Sequence, residues 1–129
     1  MKSVTAAIII KDNKILLTQR SETSSVPYKW EFPGGKIEPG EAPEECLKRE
    51  LFEELSIHTS IGDFFTKTIY DYTFGKIELL FYYVTILSGE IQLNVHMDYR
   101  WVAASELLDY DLAPADIEAA RMLQAVLTV

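Results

Sequence analysis

Glu50, Glu53 and Glu54 follow Arg49 within the stretch "APEECLKRELFEELSI". Residues three and four apart are neighbours on an α-helix, so the three carboxylates share an arc of about 100°. Leu47, Leu51 and Leu55 repeat every four residues beside that arc and form an apolar stripe. The acids therefore lie at the margin of a core. Two like charges 4 Å apart repel by ~4 kcal/mol at an effective dielectric of 20. Such a group either keeps a proton, with a raised pKa, or binds a cation. Mg²⁺ takes oxygen ligands and typically uses a few carboxylates, water and the phosphates of a substrate. The alternative is a solvated acidic face, whose Glu/Arg pairs contribute only a few tenths of a kcal/mol.

The surroundings favour a metal. Arg49 lies four residues before Glu53 and can orient it through a charge-assisted bond. Gly34 and Gly35 let the backbone pass where a Cβ would obstruct it. Glu41, just before the helix, can point back toward the cluster. The chain carries 20 acidic and 12 basic residues, a formal charge of −8. A surface that neutralises nucleic acid needs Lys and Arg, so no nucleic-acid partner is expected. A metal would let so acidic a chain hold a polyphosphate.

The elements that must position these groups can be read along the chain. Val4 to Ile10 reads as a buried strand, Asp12-Asn13 as a turn, and Lys14 to Arg20 as the hairpin partner. Trp30 to Phe32 reads as a short strand running into Pro33-Gly34-Gly35. Pro43 suits a first helical position, and Glu44 and Glu45 suit the positive end of the helix dipole. The helix should stop near Ser56. Phe64 to Tyr72 and Lys76 to Leu87 read as two strands joined at Phe74-Gly75. In the second, Ile77, Leu79, Phe81 and Tyr83 face one way and Leu80, Tyr82 and Val84 the other, so both faces should be covered. Tyr99 to Val102 is a last short strand. Ser105 is expected to cap a short helix at Glu106-Leu107-Leu108. A final helix opens at Ala113 to Asp116, with Ile117, Ala120, Leu123, Ala125 and Leu127 available to pack. The sum is one domain over 1–129, of α/β or α+β class with a mixed sheet. Val4 to Ile10 is too short to span a bilayer, so no membrane partner is expected. The one cysteine, Cys46, allows no internal disulfide framework and no zinc cluster, and a cytoplasmic location is expected.

These residues resemble the Nudix hydrolase family in its MutT-like branch. The family box reads Gly, five residues, Glu, seven residues, Arg-Glu-apolar-any-Glu-Glu-any-Gly-apolar. Gly35, Glu41, Arg49, Glu50, Leu51, Glu53, Glu54 and Ile57 match it, over residues 35–57. The flank "WEFPGGKIEPGE" and the tail "RWVAASELLDYDLAPAD" are similar to MutT-like and CTP pyrophosphohydrolase-like members. The resemblance implies an α/β/α sandwich that hydrolyses nucleoside diphosphates linked to another moiety, using Mg²⁺ or Mn²⁺. It implies Glu50, Glu53, Glu54 and the Gly34 carbonyl as metal ligands. Arg49 would hold the glutamates, and Glu53 or a metal would activate the attacking water. Arg20 matches an arginine that contacts substrate, Phe32 lines the base pocket, and Asp116 reads the base edge. Each has an ordinary alternative: a solvated strand end for Arg20, core for Phe32, a helix cap for Asp116.

The substrate expected from this resemblance is a nucleoside or deoxynucleoside triphosphate, CTP-like or 8-oxo-dGTP-like. The alternatives are a nucleotide-binding module with little turnover, a hydrolase of another nucleoside diphosphate derivative, and an acidic interaction domain. Two departures stand out. Ser56 occupies the box glycine, at a cost on the order of 1 kcal/mol if a left-handed conformation is required. Val95-His96 stands where many relatives carry Glu-His, so the expected loop carboxylate is missing, with Asp98 as a candidate replacement. Oligomeric state is left open.

Overall fold

The computed structural model describes residues 1–127. β1 (Lys2–Lys11) and β2 (Lys14–Gln19) form the expected hairpin. Asp12 and Asn13 have φ of 52° and 62°, the left-handed pair that a tight two-residue turn requires. Beyond the turn β1 leaves its partner. Val4 to Ala6 pair antiparallel with β4 (Gly34–Lys36), and Lys2 to Ile9 pair parallel with β6 (Gly75–Ser88). β5 (His58–Tyr72) lies antiparallel on the outer edge of β6. β2 pairs in turn with β3 (Trp30–Glu31) and β7 (Asp98–Val102). The order β3-β2-β1-β6-β5, with one parallel pair, makes the sheet mixed.

Helix α1 (Pro43–Leu55) covers one face and α2 (Ile117–Leu127) the other. Leu47, Leu51 and Leu55 are fully buried against Ala7, Ile9, Leu16 and Val84. Ala119, Ala120 and Leu123 pack with Ile8, Leu17 and Phe81 on the opposite side. The alternation read in β6 is realised: Leu79 and Phe81 face α2, and Tyr82 and Val84 face α1. The expected α/β/α sandwich is therefore the observed one.

Several boundaries differ. β5 begins at His58 rather than Phe64, because register irregularities between Ile61 and Thr66 interrupt the alternation that marks a strand. The β5–β6 turn sits on Thr73-Phe74, one residue early, with Gly75 already paired to Tyr72 at a φ of 134°. Ser105 caps nothing. The turn at Ala104–Asp109 is a 3-10 helix that starts after Ala103, and the Ala103 N–H donates to Glu106 Oε1 at 3.3 Å. A second 3-10 turn, Pro114–Asp116, precedes α2. Ala125 and Leu127 are exposed at the distal end of α2, and Ala119 takes the core place instead. No described helix is long and apolar enough to cross a membrane.

The glycine pair, read as a loop, is strand β4. A Cβ on Gly34 would stand 1.9 Å from the Thr5 carbonyl oxygen, which is backbone and cannot move aside. Gly34→Ala should destabilise the fold by on the order of 3 kcal/mol. Thermal unfolding checks this, and an unchanged Tm would show that β4 has room to shift.

Candidate active site

Helix α1 is positioned at both ends. Pro43 occupies its first turn, and Glu45 Oε1 accepts the Ala42 N–H at 3.2 Å. At the far end Ser56 adopts φ 59°, ψ 32°, and its N–H closes on Phe52 O at 2.9 Å. The left-handed residue foreseen at that position is thus present, with Ser in place of glycine.

Between these ends Arg49 gathers the acids. Its Nε donates to Glu41 Oε2 at 2.7 Å and its Nη2 to Glu41 Oε1 at 3.0 Å. Nη1 donates to Glu50 Oε1 at 2.9 Å and reaches Glu53 Oε2 at 3.3 Å. The Arg49 bond holds the Glu41 carboxyl down at about 2, and the Arg49 guanidinium keeps its own proton more firmly in return. Glu41 is therefore the anchor of Arg49, a closer role than the sequence suggested.

The three box glutamates do not behave alike. Glu50 and Glu54 are mostly buried, with side chains 17% and 18% exposed, whereas Glu53 is 56% exposed. Glu50 lies over Gly35, where a Cβ would stand 2.1 Å from the Glu50 carboxyl carbon. Burial, with the charges of Glu31 and Glu50, pushes the Glu54 carboxyl up to about 9. Glu31 was not foreseen. It is 14% exposed, and it binds Arg20 Nη1 at 2.8 Å and His96 Nε2 at 2.9 Å. The only signal for it was a charged residue between the aromatics Trp30 and Phe32. Among the described residues no three His, Cys, Asp or Glu side chains stand together closely enough to hold an ion as they are. The oxygen donor set nevertheless fits a hard divalent cation, whose charge would offset the burial and the neighbouring carboxylates that raise Glu54. The cradle at Gly35 fits too, since any Cβ would displace Glu50.

A cavity of about 240 Å³ opens beside this cluster. Gly34, Gly35, Lys36 and Glu54 line one part, and Phe32, Tyr72, Phe74 and Asp116 line another. Arg20 and Glu31 also lie on its wall. Phe32 is both core and wall: it is 2% exposed and meets Phe81 edge-on at 5.8 Å between ring centroids. Asp116 is 4% exposed, and its Oδ1 has no hydrogen-bond partner among the described residues. Burial drives its carboxyl well above the ordinary range, with Glu31 adding to the effect. Asp116 directly precedes α2, and its Oδ1 makes no cap bond there. Arg20 is held by Glu31 and by Ser25 Oγ at 3.4 Å, so it is no free strand end.

The departures resolve differently. Asp98, the candidate replacement for the missing carboxylate, has its Oδ1 engaged by Arg100 at 2.6 Å and by the Tyr99 N–H at 2.8 Å. Val95 is 55% exposed. His96 is inserted into the site with a side chain only 4% exposed.

Set against known proteins, the NUDIX domain family model matches residues 1–126. The chain belongs to the NUDIX domain family. It is a hydrolase of pyrophosphate bonds. The CTP pyrophosphohydrolase of Escherichia coli K12 is 41% identical over 117 residues, covering 91% of this chain and 87% of that one. The 8-oxo-dGTP diphosphatase of the same organism is 34% identical over 119 residues, covering 90% and 92%. Among solved structures, the MutT protein of methicillin-resistant Staphylococcus aureus 252 superposes with a TM-score of 0.78. It has 39% identity and covers 97% of this chain and 96% of that one.

Within this Nudix site the glycines separate stability from chemistry. Gly35→Ala meets the flexible end of Glu50 rather than backbone. It should cost about 1 kcal/mol of stability and yet lower kcat by about tenfold or more, because Glu50 must leave its place. Steady-state kinetics beside thermal unfolding would show it. A variant that unfolds as readily as Gly34→Ala would contradict this division.

Proposed function

We propose that this Nudix protein hydrolyses a nucleoside or deoxynucleoside triphosphate to the monophosphate and pyrophosphate, with Mg²⁺ as its ion and Mn²⁺ able to replace it. The observation that carries the reading is one cavity with two chemistries. Carboxylates, glycines and Lys36 surround the end suited to metal-bound phosphates, and Phe32, Tyr72 and buried Asp116 surround the end suited to a base. Glu50, Glu53, Glu54 and the Gly34 carbonyl would hold the ion. When bound, the ion neutralises the phosphates and polarises them for in-line attack. Water then adds its oxygen to an internal phosphorus, and an anhydride P–O bond breaks. Glu53, the carboxylate most open to solvent, takes the water's proton. Arg49 keeps Glu50 and Glu53 in place, and Arg20 faces the substrate.

Asp116 is the base reader in this scheme. An unpartnered oxygen in the cavity wall suits an N–H donor on the base, such as the amino group of cytosine or an N–H of an oxidised guanine. That fits the names of the two relatives, one acting on CTP and the other on 8-oxo-dGTP. The role would be cleansing or turnover of the cytoplasmic nucleotide pool. The exposed Val95 motivates a second reading, a nucleotide-binding module with little turnover. A panel of ribo- and deoxynucleoside triphosphates with Mg²⁺, followed by pyrophosphate release, decides between them. Turnover that is highest for a cytosine or oxidised guanine base is expected. Tight binding without release would favour the module.

A further inference from the structure

The segment 90–97 between β6 and β7 closes the end of α1. Gln92 N–H donates to Leu55 O at 2.9 Å, and Asn94 N–H donates to Glu54 O at 3.1 Å. The Asn94 amide donates again, to Glu53 O at 2.9 Å and to Ser56 Oγ at 3.0 Å. With the Ser56 N–H on Phe52 O, four successive carbonyls of the last turn are satisfied. A glycine at position 56 would offer no hydroxyl, so the departure from the family box itself supplies one of these contacts. Met97 N–H on Gln19 O at 2.9 Å ties down the other end of the segment. Between the two anchors His96 enters the site, 2.9 Å from Glu31 Oε2 and 4.0 Å from Glu54 Oε1. Its Nδ1 is buried and has no hydrogen-bond partner among the described residues.

We propose that Asn94 is a positioning residue: clamped on Glu53, Glu54 and Ser56, it seats the 90–97 segment so that His96 fixes the Glu31 carboxylate beside Glu54. The clamp joins the backbone carbonyls of two box glutamates to the imidazole that orders Glu31. The segment thus supplies this chain's site with the His96 imidazole, while position 95 carries the exposed Val95. Its catalytic consequence rests on the pyrophosphohydrolase reading above; the seating of His96 does not. Asn94 itself is exposed and does not line the site cavity, so removing its amide leaves the core and the base end intact.

The test uses the full chain. Asn94→Ala should lower kcat by about tenfold or more with KM unchanged, since a small misplacement at a reacting centre is costly while nucleotide contacts persist. In NMR spectra the His96 imidazole signals should shift in Asn94→Ala although His96 is untouched. Ser56→Gly should leave kcat within about twofold, because Asn94 keeps its two carbonyl bonds. Ser56→Gly should raise Tm more in the Asn94→Ala background than in the wild type, because only in the wild type does relief of the left-handed strain also remove a hydrogen bond. Unmoved His96 signals, a loss confined to KM, or equal Tm changes in both backgrounds would overturn the proposal. If the wild type turns over no nucleoside triphosphate while the His96 signals still shift, the functional reading falls and the seating of His96 stands.

Discussion

Glu54→Gln is expected to stabilise the metal-free protein at pH 8 while removing its turnover. The two effects have one cause. Burial and the charges of Glu31 and Glu50 raise the Glu54 carboxyl to about 9, against an ordinary 4.5. Between those two values the folded chain holds a proton that the unfolded chain has released. Stability therefore falls as pH rises across this window. It is unaffected below about 4.5, where both states are protonated, and the loss is complete above about 9. Glutamine is neutral throughout and carries no such penalty. After allowance for relaxation of the site, a gain on the order of 2 kcal/mol at pH 8 corresponds to a Tm higher by roughly 7 °C. The gain should vanish at pH 4. Added Mg²⁺ should raise the wild-type Tm, more strongly at higher pH, because the cation displaces the proton. If Glu54 holds the ion, the variant loses a ligand charge, so its response to Mg²⁺ should be much weaker and its kcat should fall by at least about a hundredfold. Calorimetry with and without a chelator, at pH 4 and pH 8, measures all of this. A variant less stable than wild type at pH 8 would show that Glu54 is ionised and already compensated.

Glu53→Gln should behave in the opposite way. Its side chain is more than half exposed, and its ion pair is an i,i+4 contact with Arg49. Such pairs contribute a few tenths of a kcal/mol, and Arg49 keeps Glu41 and Glu50. The Tm should stay within about 2 °C at every pH. If Glu53 takes the proton of the attacking water, kcat should fall by about 10²- to 10⁴-fold. Pyrophosphate release by the variant, compared with Glu54→Gln, separates proton transfer from metal holding. An unchanged rate would remove Glu53 from the mechanism.

The sequence by itself determined the helix and the identity of its chemistry. Pro43, the Leu47/Leu51/Leu55 stripe and the acids beside it are local features with a helical period, and the structure keeps all of them in place. The hairpin at Asp12-Asn13 and the two-faced β6 were legible for the same reason, since turn chemistry and alternation act over a few residues. What only the tertiary structure decided is which acids meet. Glu31 and His96 are 65 residues apart in the chain and hydrogen-bonded in the fold. The helical arc treated Glu50, Glu53 and Glu54 as equals. Packing against β4 and the 90–97 segment buries Glu50 and Glu54 and leaves Glu53 in water. Strand β4 was hidden because its glycines carry no alternation, and its pairing with β1 depends on a close approach that no local pattern records. Burial and long-range hydrogen bonds set the pKa of each carboxylate, so residue types announced the chemistry and the packing of distant segments assigned the roles.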